Sequence, residues 1–521
     1  MKKIRKYLLP FMVYTVLFCT VLMPCSAQEA AGIDGKAESA QAAASSSDTE
    51  AAYQTADDIV GDSTDDEFSA DSEEDNAEPV FTVSGKIETL HGVRWNDVEK
   101  NLEYGASRSI TQVKGEISAG PSYAALSASA EYNYRSPART GFRLNEAYYR
   151  YSEEIWDISA GRQVIVWGQA DGFKLTDVLS ARDSSEFIAF AGDDARLPAD
   201  SIRLRFFHDL FTFEAVAVPL FTPNKLPRFG FEDGAKNDPY YINTPDTFTM
   251  PYGPVPIKYT KTESAKPKMF SDTEAAARFS FFLPGIDFSV SGFYGWDKNP
   301  RYVKSGYAKK GLLNPAAPFG PLNPYVPKAL YTNLNEEYYR IGMAGVDAAI
   351  PAGDVTVRLE TAWVGGRYFE PKSLLTEKSV ADLRRQSPGD VPLEFNAPQK
   401  HQLLMLAGID WMKDSWTLSA QYFEDLILNH KDDIERPMHK GFVSLNVSKM
   451  FLRDTLKLSV SGVIDVNYGS TFSTCSAGYA LTDNINISLG GDVYTKGYDG
   501  KGDFAPLHKI SAVWLKGTFT W

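Results

Sequence analysis

The sequence predicts an all-β protein: a transmembrane antiparallel β-barrel of about 16–18 strands, with long external loops, one loop folded inward and a disordered acidic N-terminal arm. Three observations predict it. Apolar and polar residues alternate with a period of two through most of the chain beyond Pro79. Short turns and long connections alternate between those segments. The final segment places Val513, Leu515, Gly517, Phe519 and Trp521 on one face and ends on an aromatic. Side chains on a strand point alternately to opposite faces, so each segment has one apolar and one polar face. A long series of such segments suits a wall with lipid outside and water inside.

Taken in order, the chain begins with a signal peptide over residues 1–27. Lys2, Lys3, Arg5 and Lys6 form its basic region and Tyr7 to Met23 its apolar run. Cys25-Ser26-Ala27 offers the small residues of a cleavage site after Ala27. Pro24 makes acylation of Cys25 a poor fit. After cleavage only Cys475 remains, so no intramolecular disulfide can form. Residues 28–79 carry sixteen acids against the single base Lys36, which accounts for nearly all of the net charge of −14. Such a segment cannot bury enough apolar surface to offset its conformational entropy, and a disordered periplasmic arm is expected. Residues 80–521 form the barrel.

The candidate strands open with Val80–Leu90, Thr111–Ala119, Ser122–Tyr134, Arg143–Ser152, Ile155–Val164, Asp200–His208, Leu210–Pro219 and Asp272–Leu283. Ile286–Trp296, Glu337–Ile350, Asp354–Val364, His401–Met412 and Ser415–Asp425 continue the series. Lys440–Leu452, Thr455–Asn467, Ser470–Leu481, Asn484–Thr495 and Leu507–Trp521 close it. In one of the cleanest, Val355, Val357, Leu359 and Trp363 oppose Thr356, Arg358 and Glu360. In another, Ala275, Ala277, Phe279 and Phe281 oppose Glu274, Arg278 and Ser280. Tight turns such as Gly120-Pro121, Pro284-Gly285 and Lys413-Asp414 use residues that turns require. Between them lie long connections, among them Ile165–Ala199, Leu220–Ser271, Asp297–Glu336 and Gly365–Lys400. Outer-membrane barrels have short periplasmic turns and long external loops, and an even strand count returns both ends to the periplasm. A soluble sandwich would not lengthen every second connection. It would also not carry Arg203, Arg205, Arg278, Arg358, Glu360, Lys457, Asp465 and Lys516 on its inner faces.

Catalytic motifs are missing. The six histidines stand apart from any G-x-S-x-G elbow, and neither H-E-x-x-H nor Cys/His metal spacing occurs. The sequence therefore points away from an enzyme and calls for no cofactor and no nucleic-acid partner. The expected partners are outer-membrane lipid and the barrel-insertion machinery.

The densest polar stretch runs from Gly161 to Arg205. Both charge signs recur every few residues, with Trp167, Phe173, Phe187 and Phe190 between them. Large aromatics are out of place in a freely solvated loop. A loop turned into the lumen would pack them on the wall and let its ions satisfy one another. The residues expected at such a constriction are Arg162, Gln163, Trp167, Asp171, Asp177, Arg182, Asp183, Asp193, Asp194, Arg196, Arg203 and Arg205. In this expectation Arg162, Arg182, Arg196, Arg203 and Arg205 face Asp171, Asp177, Asp183, Asp193 and Asp194. An equally ordinary reading is a loop cross-braced by ion pairs with no part in solute choice.

The same stretch carries a resemblance. Gly161-Arg162-Gln163, Trp167-Gly168, Asp171-Gly172, Asp177-Val178, Arg182-Asp183, Glu186-Phe187 and Asp194-Ala195-Arg196-Leu197-Pro198 are similar to the core of a large family of bacterial outer-membrane proteins of unknown function. The likeness covers roughly Asn145 to Pro223. It implies a porin-like channel in the cell outer membrane of a Gram-negative-type envelope. It also implies, for some members, a link to RND-type exporters of hydrophobic compounds, through a periplasmic or inner-membrane partner. Two other functions stay open on the sequence. The loops Leu220–Ser271 and Asp297–Glu336 suit a surface adhesin that uses the barrel as an anchor, and a barrel hydrolase is the third possibility.

Overall fold

The computed structural model describes residues 78–95, 104–168, 173, 175–186, 195–230, 242, 247–250, 253–263, 266–310, 327–371, 391–394, 397–498 and 500–521. The signal peptide and nearly all of the acidic arm lie outside these residues.

Eighteen strands form one sheet. In chain order the first nine are β1 (Val80–Arg94), β2 (Tyr104–Ala119), β3 (Ser122–Asn133), β4 (Gly141–Glu153), β5 (Trp156–Gln163), β6 (Ala199–His208), β7 (Phe211–Leu220), β8 (Glu274–Leu283) and β9 (Ile286–Trp296). The remaining nine are β10 (Arg340–Ala352), β11 (Val355–Tyr368), β12 (Gln399–Lys413), β13 (Trp416–Leu428), β14 (His439–Phe451), β15 (Leu456–Asp465), β16 (Thr471–Thr482), β17 (Ile485–Thr495) and β18 (Ala512–Thr520). Each pairs antiparallel with the next, and β18 pairs antiparallel with β1 from Lys86↔Thr520 to Arg94↔Ala512, closing the barrel. Each expected strand corresponds to one observed strand.

The closing seam has its own fastening. The Gly85 N–H donates to the Trp521 carbonyl and the Trp521 N–H to the Gly85 carbonyl, both at 3.0 Å. The indole lies directly over Gly85, and a Cβ there would stand 2.1 Å from the ring. Only glycine admits that approach.

The two ends of the barrel differ. At one end hairpins turn in a few residues. Asp414 and Ser415 both take positive φ, the twist that two-residue hairpins favour. At the other end the connections are long, and three of them build structure of their own. Segments 247–250, 253–263, 301–310, 327–337 and 391–394 form a separate five-stranded sheet. On the sequence these residues read as plain connections, because a sheet outside the barrel wall needs no lipid-facing alternation. Here the pair 301–310 and 327–337 continues the β9–β10 hairpin past the barrel rim.

The faces alternate as expected. Phe279, Leu359, Trp363, Ile409, Leu489 and Leu515 point outward and are exposed, forming an apolar belt. Among the described residues no helix is long and apolar enough to cross a membrane. The inner face carries the polar set, but one sector is apolar. Val216, Val218, Ala276, Phe293, Ile341, Met343, Ala362, Val364, Leu404 and Leu406 line β7 to β12 and are buried. Apolar side chains on a wet wall are stable only if something covers them. The connection between β5 and β6 does so.

Candidate functional site

The described residues of that connection, 164–168, 173, 175–186 and 195–198, turn into the barrel. Ile165, Trp167, Leu175 and Leu179 insert among the apolar wall residues and make one buried cluster with them. Phe173 stacks on Phe423 of β13 at 4.9 Å between ring centroids, 7° from parallel. The cluster is a small hydrophobic core inside the lumen, on one side of it.

Polar pins hold the segment at intervals. Its first residue, Val164, donates its N–H to Glu146 of β4 at 3.0 Å. The Trp167 Nε1–H donates to Glu214 of β7 at 2.8 Å, and Arg203 of β6 reaches the other oxygen of that carboxylate at 3.0 Å. The Thr176 N–H and hydroxyl both donate to Glu360 Oε1 of β11 at 2.8 Å. Gly168 sits against this pin with φ +87°, where a Cβ would lie 2.6 Å from the Thr176 hydroxyl and 2.8 Å from Glu360. The Trp167-Gly168 pair thus has a physical basis: the indole anchors, and the glycine lets the chain turn past Glu360.

Further on, the segment becomes a strap that reaches β2, β4 and the β7–β8 connection. Ala181 and Arg182 pair with Leu197 and Arg196 in a two-residue ladder. The Arg182 N–H donates to Asn224, and Asp183 meets Lys225 at 3.1 Å and Arg143 of β4 at 3.8 Å. Glu186 meets Arg108 of β2 and, at 3.4 Å, Arg139. Burial alone would raise the Asp183 pKa. The Ser185 hydroxyl and N–H together with the Lys225 ammonium outweigh that and hold it below the usual value. Near the long-loop end its described residues pack on β7 to β13 at one side and reach Arg108 of β2 and Arg143 of β4 at the other.

The expected site residues distribute as follows. Gln163 is buried on the inner face and accepts the Ser159 hydroxyl at 2.8 Å. Trp167, Asp177, Arg182, Asp183 and Arg196 belong to the inward segment, and Arg203 and Arg205 to the inner wall. Arg162 corrects the expectation. It alternates with inward Gly161 and Gln163, lies on the outer face, and pairs with Asp200 there at 2.7 Å. Asp171, Asp193 and Asp194 lie outside the described residues.

The pairing also differs from the expectation. Within the expected set Arg196 meets Asp177, at 3.1 Å. Arg203 takes Glu214, and Arg205 takes Asp157 of β5 at 2.6 Å. The partners that sequence reasoning missed, Asp157, Glu214, Glu360, Arg108, Arg139 and Arg143, come mostly from other strands. Their one sequence signal is a charge on the polar face of an otherwise clean alternation, as in Arg358 and Glu360.

Around the rest of the wall the picture changes. On β14 to β17 the inner face carries Ser448, Ser459, Ser461, Thr474, Ser476 and Ser488, all half-exposed. Asn446 on the same face is exposed. One side of the lumen is therefore filled and the other is a hydroxyl-lined wall open to water.

No family model matches the chain, and no curated protein matches it, so the family resemblance rests on its motif residues. Among solved structures, OccAB1 of Acinetobacter baumannii aligns with TM-score 0.46 and 8% identity, over 86% of this chain and 99% of that one. OccK11 (OpdR) of Pseudomonas aeruginosa aligns at 0.43 and 6%, over 84% and 95%. Salmonella typhi OmpF, in its complex with daunomycin, aligns at 0.38 and 9%, over 85% and 97%. Likenesses this distant carry no weight about function, and the barrel stands on its own strand pairing.

Proposed function

We propose that this chain is a porin-like channel of the outer membrane that passes small hydrated solutes. The reading rests on one observation above all: the inward segment fills one sector of the lumen while the sector opposite stays half-exposed and hydroxyl-lined. The outward apolar belt, the export signal read from the sequence and the aromatic-ended closing strand support the location. A wall of serine and threonine hydroxyls favours polar solutes over the hydrophobic cargo that the motif resemblance implies. Diffusion along it needs no exporter, so flow is down the solute's gradient. Trp167, Asp177, Arg182, Asp183, Arg196, Arg203 and Arg205 then act as the frame that fixes the width of the passage.

Planar-bilayer recording tests this. The wild-type chain is expected to give discrete conductance steps. Because Gln163 pairs with Ala199, residues 165–198 can be replaced by a short turn without breaking the β5–β6 hairpin. That variant is expected to conduct more than wild type. No current from either protein would overturn the channel reading.

A further inference from the structure

Strand β8 is entered through a tight turn on the outside of the barrel, at the long-loop end. Within residues 266–273 the Asp272 N–H donates to the Lys268 carbonyl at 3.1 Å, and the Lys268 N–H to the Asp272 carboxylate at 2.7 Å. The Thr273 hydroxyl donates to the Phe270 carbonyl at 2.8 Å. The Phe270 N–H ties the turn to the carbonyl of Pro219 on β7 at 3.1 Å.

Two residues of the outer wall clamp this turn. Phe293 and Ile341 face the lumenal core, so Trp296 of β9 and its register partner Arg340 of β10, of opposite parity, face outward. The Trp296 Nε1–H donates to the Asp272 carbonyl at 2.9 Å, and the Arg340 guanidinium to the Thr273 carbonyl at 3.1 Å. The same guanidinium lies over the rings of Trp296 and Tyr294, 4.6 and 5.2 Å from their centroids.

What the clamp holds out is amphiphilic. Met269 and Phe270 are exposed, Phe270 by 68%. Phe270 takes φ +63°, a backbone conformation rare for a bulky residue. Lys266 and Lys268 flank the pair, are exposed, and form no ion pair among the described residues. The acids nearby are few. Asp272 faces Arg340 at 3.8 Å, and exposed Glu263 lies just ahead of Lys266. Glu274, Glu336 and Glu337 are taken by Lys298, Lys261 and Arg301 at 2.6, 3.0 and 2.9 Å. The turn is also continuous with the apolar belt. Exposed Tyr294 stands next to it on β9, and the outward pair Val290 and Val346 follows toward the short-turn end.

We propose that residues 266–273, with Arg340, bind a phosphorylated lipid of the outer leaflet. Met269 and Phe270 enter its acyl chains, and Lys266 and Lys268 take its phosphate. An exposed apolar pair held this firmly is unfavourable in water and favourable in lipid. Lysine stems lie along apolar surface while their ammonium groups stay at headgroup level. Aromatic rings such as Trp296 and Tyr294 belong at that same level. This inference rests on the outer-membrane location and not on conduction.

The test is native mass spectrometry of the purified full chain in neutral detergent with diphosphoryl lipid A. A one-to-one complex is expected. Lys266→Gln with Lys268→Gln should weaken it at least about tenfold, and Lys266→Arg with Lys268→Arg should keep most of it. Phe270→Ser should weaken it too, whereas Lys413→Gln, at the short-turn end, should not. Heat-modifiable migration on gels confirms that each variant has folded. Equal retention by wild type and the folded glutamine pair overturns the proposal. So does displacement of the lipid by millimolar inorganic phosphate, which would make free phosphate the ligand, or equal retention of phosphate-free diacylglycerol. A dimer lost in Phe270→Ser would make a second copy the occupant and overturn it as well. Bilayer conductance is read separately, so the channel reading stands or falls on its own.

Discussion

At the scale of single residues, Trp167 joins two kinds of attachment. Its ring is buried in the lumenal cluster and its Nε1–H is held by Glu214. Trp167→Ala removes both, at about 3–5 kcal/mol for a buried large side chain. Glu214 keeps its Arg203 partner, so the substitution leaves no orphaned charge in the wall. The expected result is a loosened segment in an intact barrel: higher, noisier single-channel conductance with unchanged heat-modifiable migration. Trp167→Phe keeps the packing and loses the hydrogen bond, about 1 kcal/mol, and should stay close to wild type. Equal conductance in Trp167→Ala and wild type would mean that the segment does not set the width. The importance of Trp167 was legible in the sequence, because a large aromatic amid alternating charges needs somewhere to pack. Its partner was not. Glu214 lies 47 positions away on a strand whose polar face gives no hint of which lumenal group it will meet.

At the scale of elements, the strap is an acid-sensitive tether by construction. The Asp183 pKa is depressed in the folded chain, so its contribution is complete above the ordinary value of 3.8 and is lost as pH falls through the lower folded value. Conductance should therefore hold steady through mildly acidic pH and change only below 3.8. Lys225→Ala removes part of what depresses that pKa and should move the onset to higher pH. A pH series in the bilayer checks both, and an onset that ignores Lys225 would show that Asp183 is not the tether. Elements were the most legible level of this chain. Lipid demands an apolar residue at every second outward position, and that demand writes itself into strands such as Val355–Tyr368. Where lipid makes no demand the signal fades: Gly253–Glu263 and Pro327–Glu337 pair in the outer sheet with no alternation that sets them apart from a loop. Arg162 failed for a related reason. Near a rim the outer face can hold an ion pair, so charge no longer tells inside from outside.

At the scale of the whole molecule, closure depends on a small contact. The Trp521 ring fills the space over Gly85, and two backbone hydrogen bonds lie beneath it. Gly85→Val would force the indole aside, since its Cβ alone would stand 2.1 Å from the ring. Neighbouring pairs along β1 and β18 would remain. The expected outcome is a barrel that still forms but loses its heat-resistant migration at a lower temperature than wild type. Gly115→Ala, on β2 where the nearest atoms are 3.9 Å away, is the matched control and should change little. Equal melting of both variants would mean that the clasp adds nothing to the seam.

The same seam sets an order of events. Seventeen of the eighteen pairings join strands that follow one another, and each can zip as a hairpin or a near neighbour. The pairing of Lys86 with Thr520 spans more than 430 residues. Its contact order is that of the whole barrel, so it comes last and slowly. Until it forms, β1 and β18 are both bare edges, each with a row of unpaired N–H and carbonyl groups able to capture another chain. The final step is thus a contest between self-closure and aggregation. A template that occupies one edge and then yields it to the other would decide that contest in favour of the barrel.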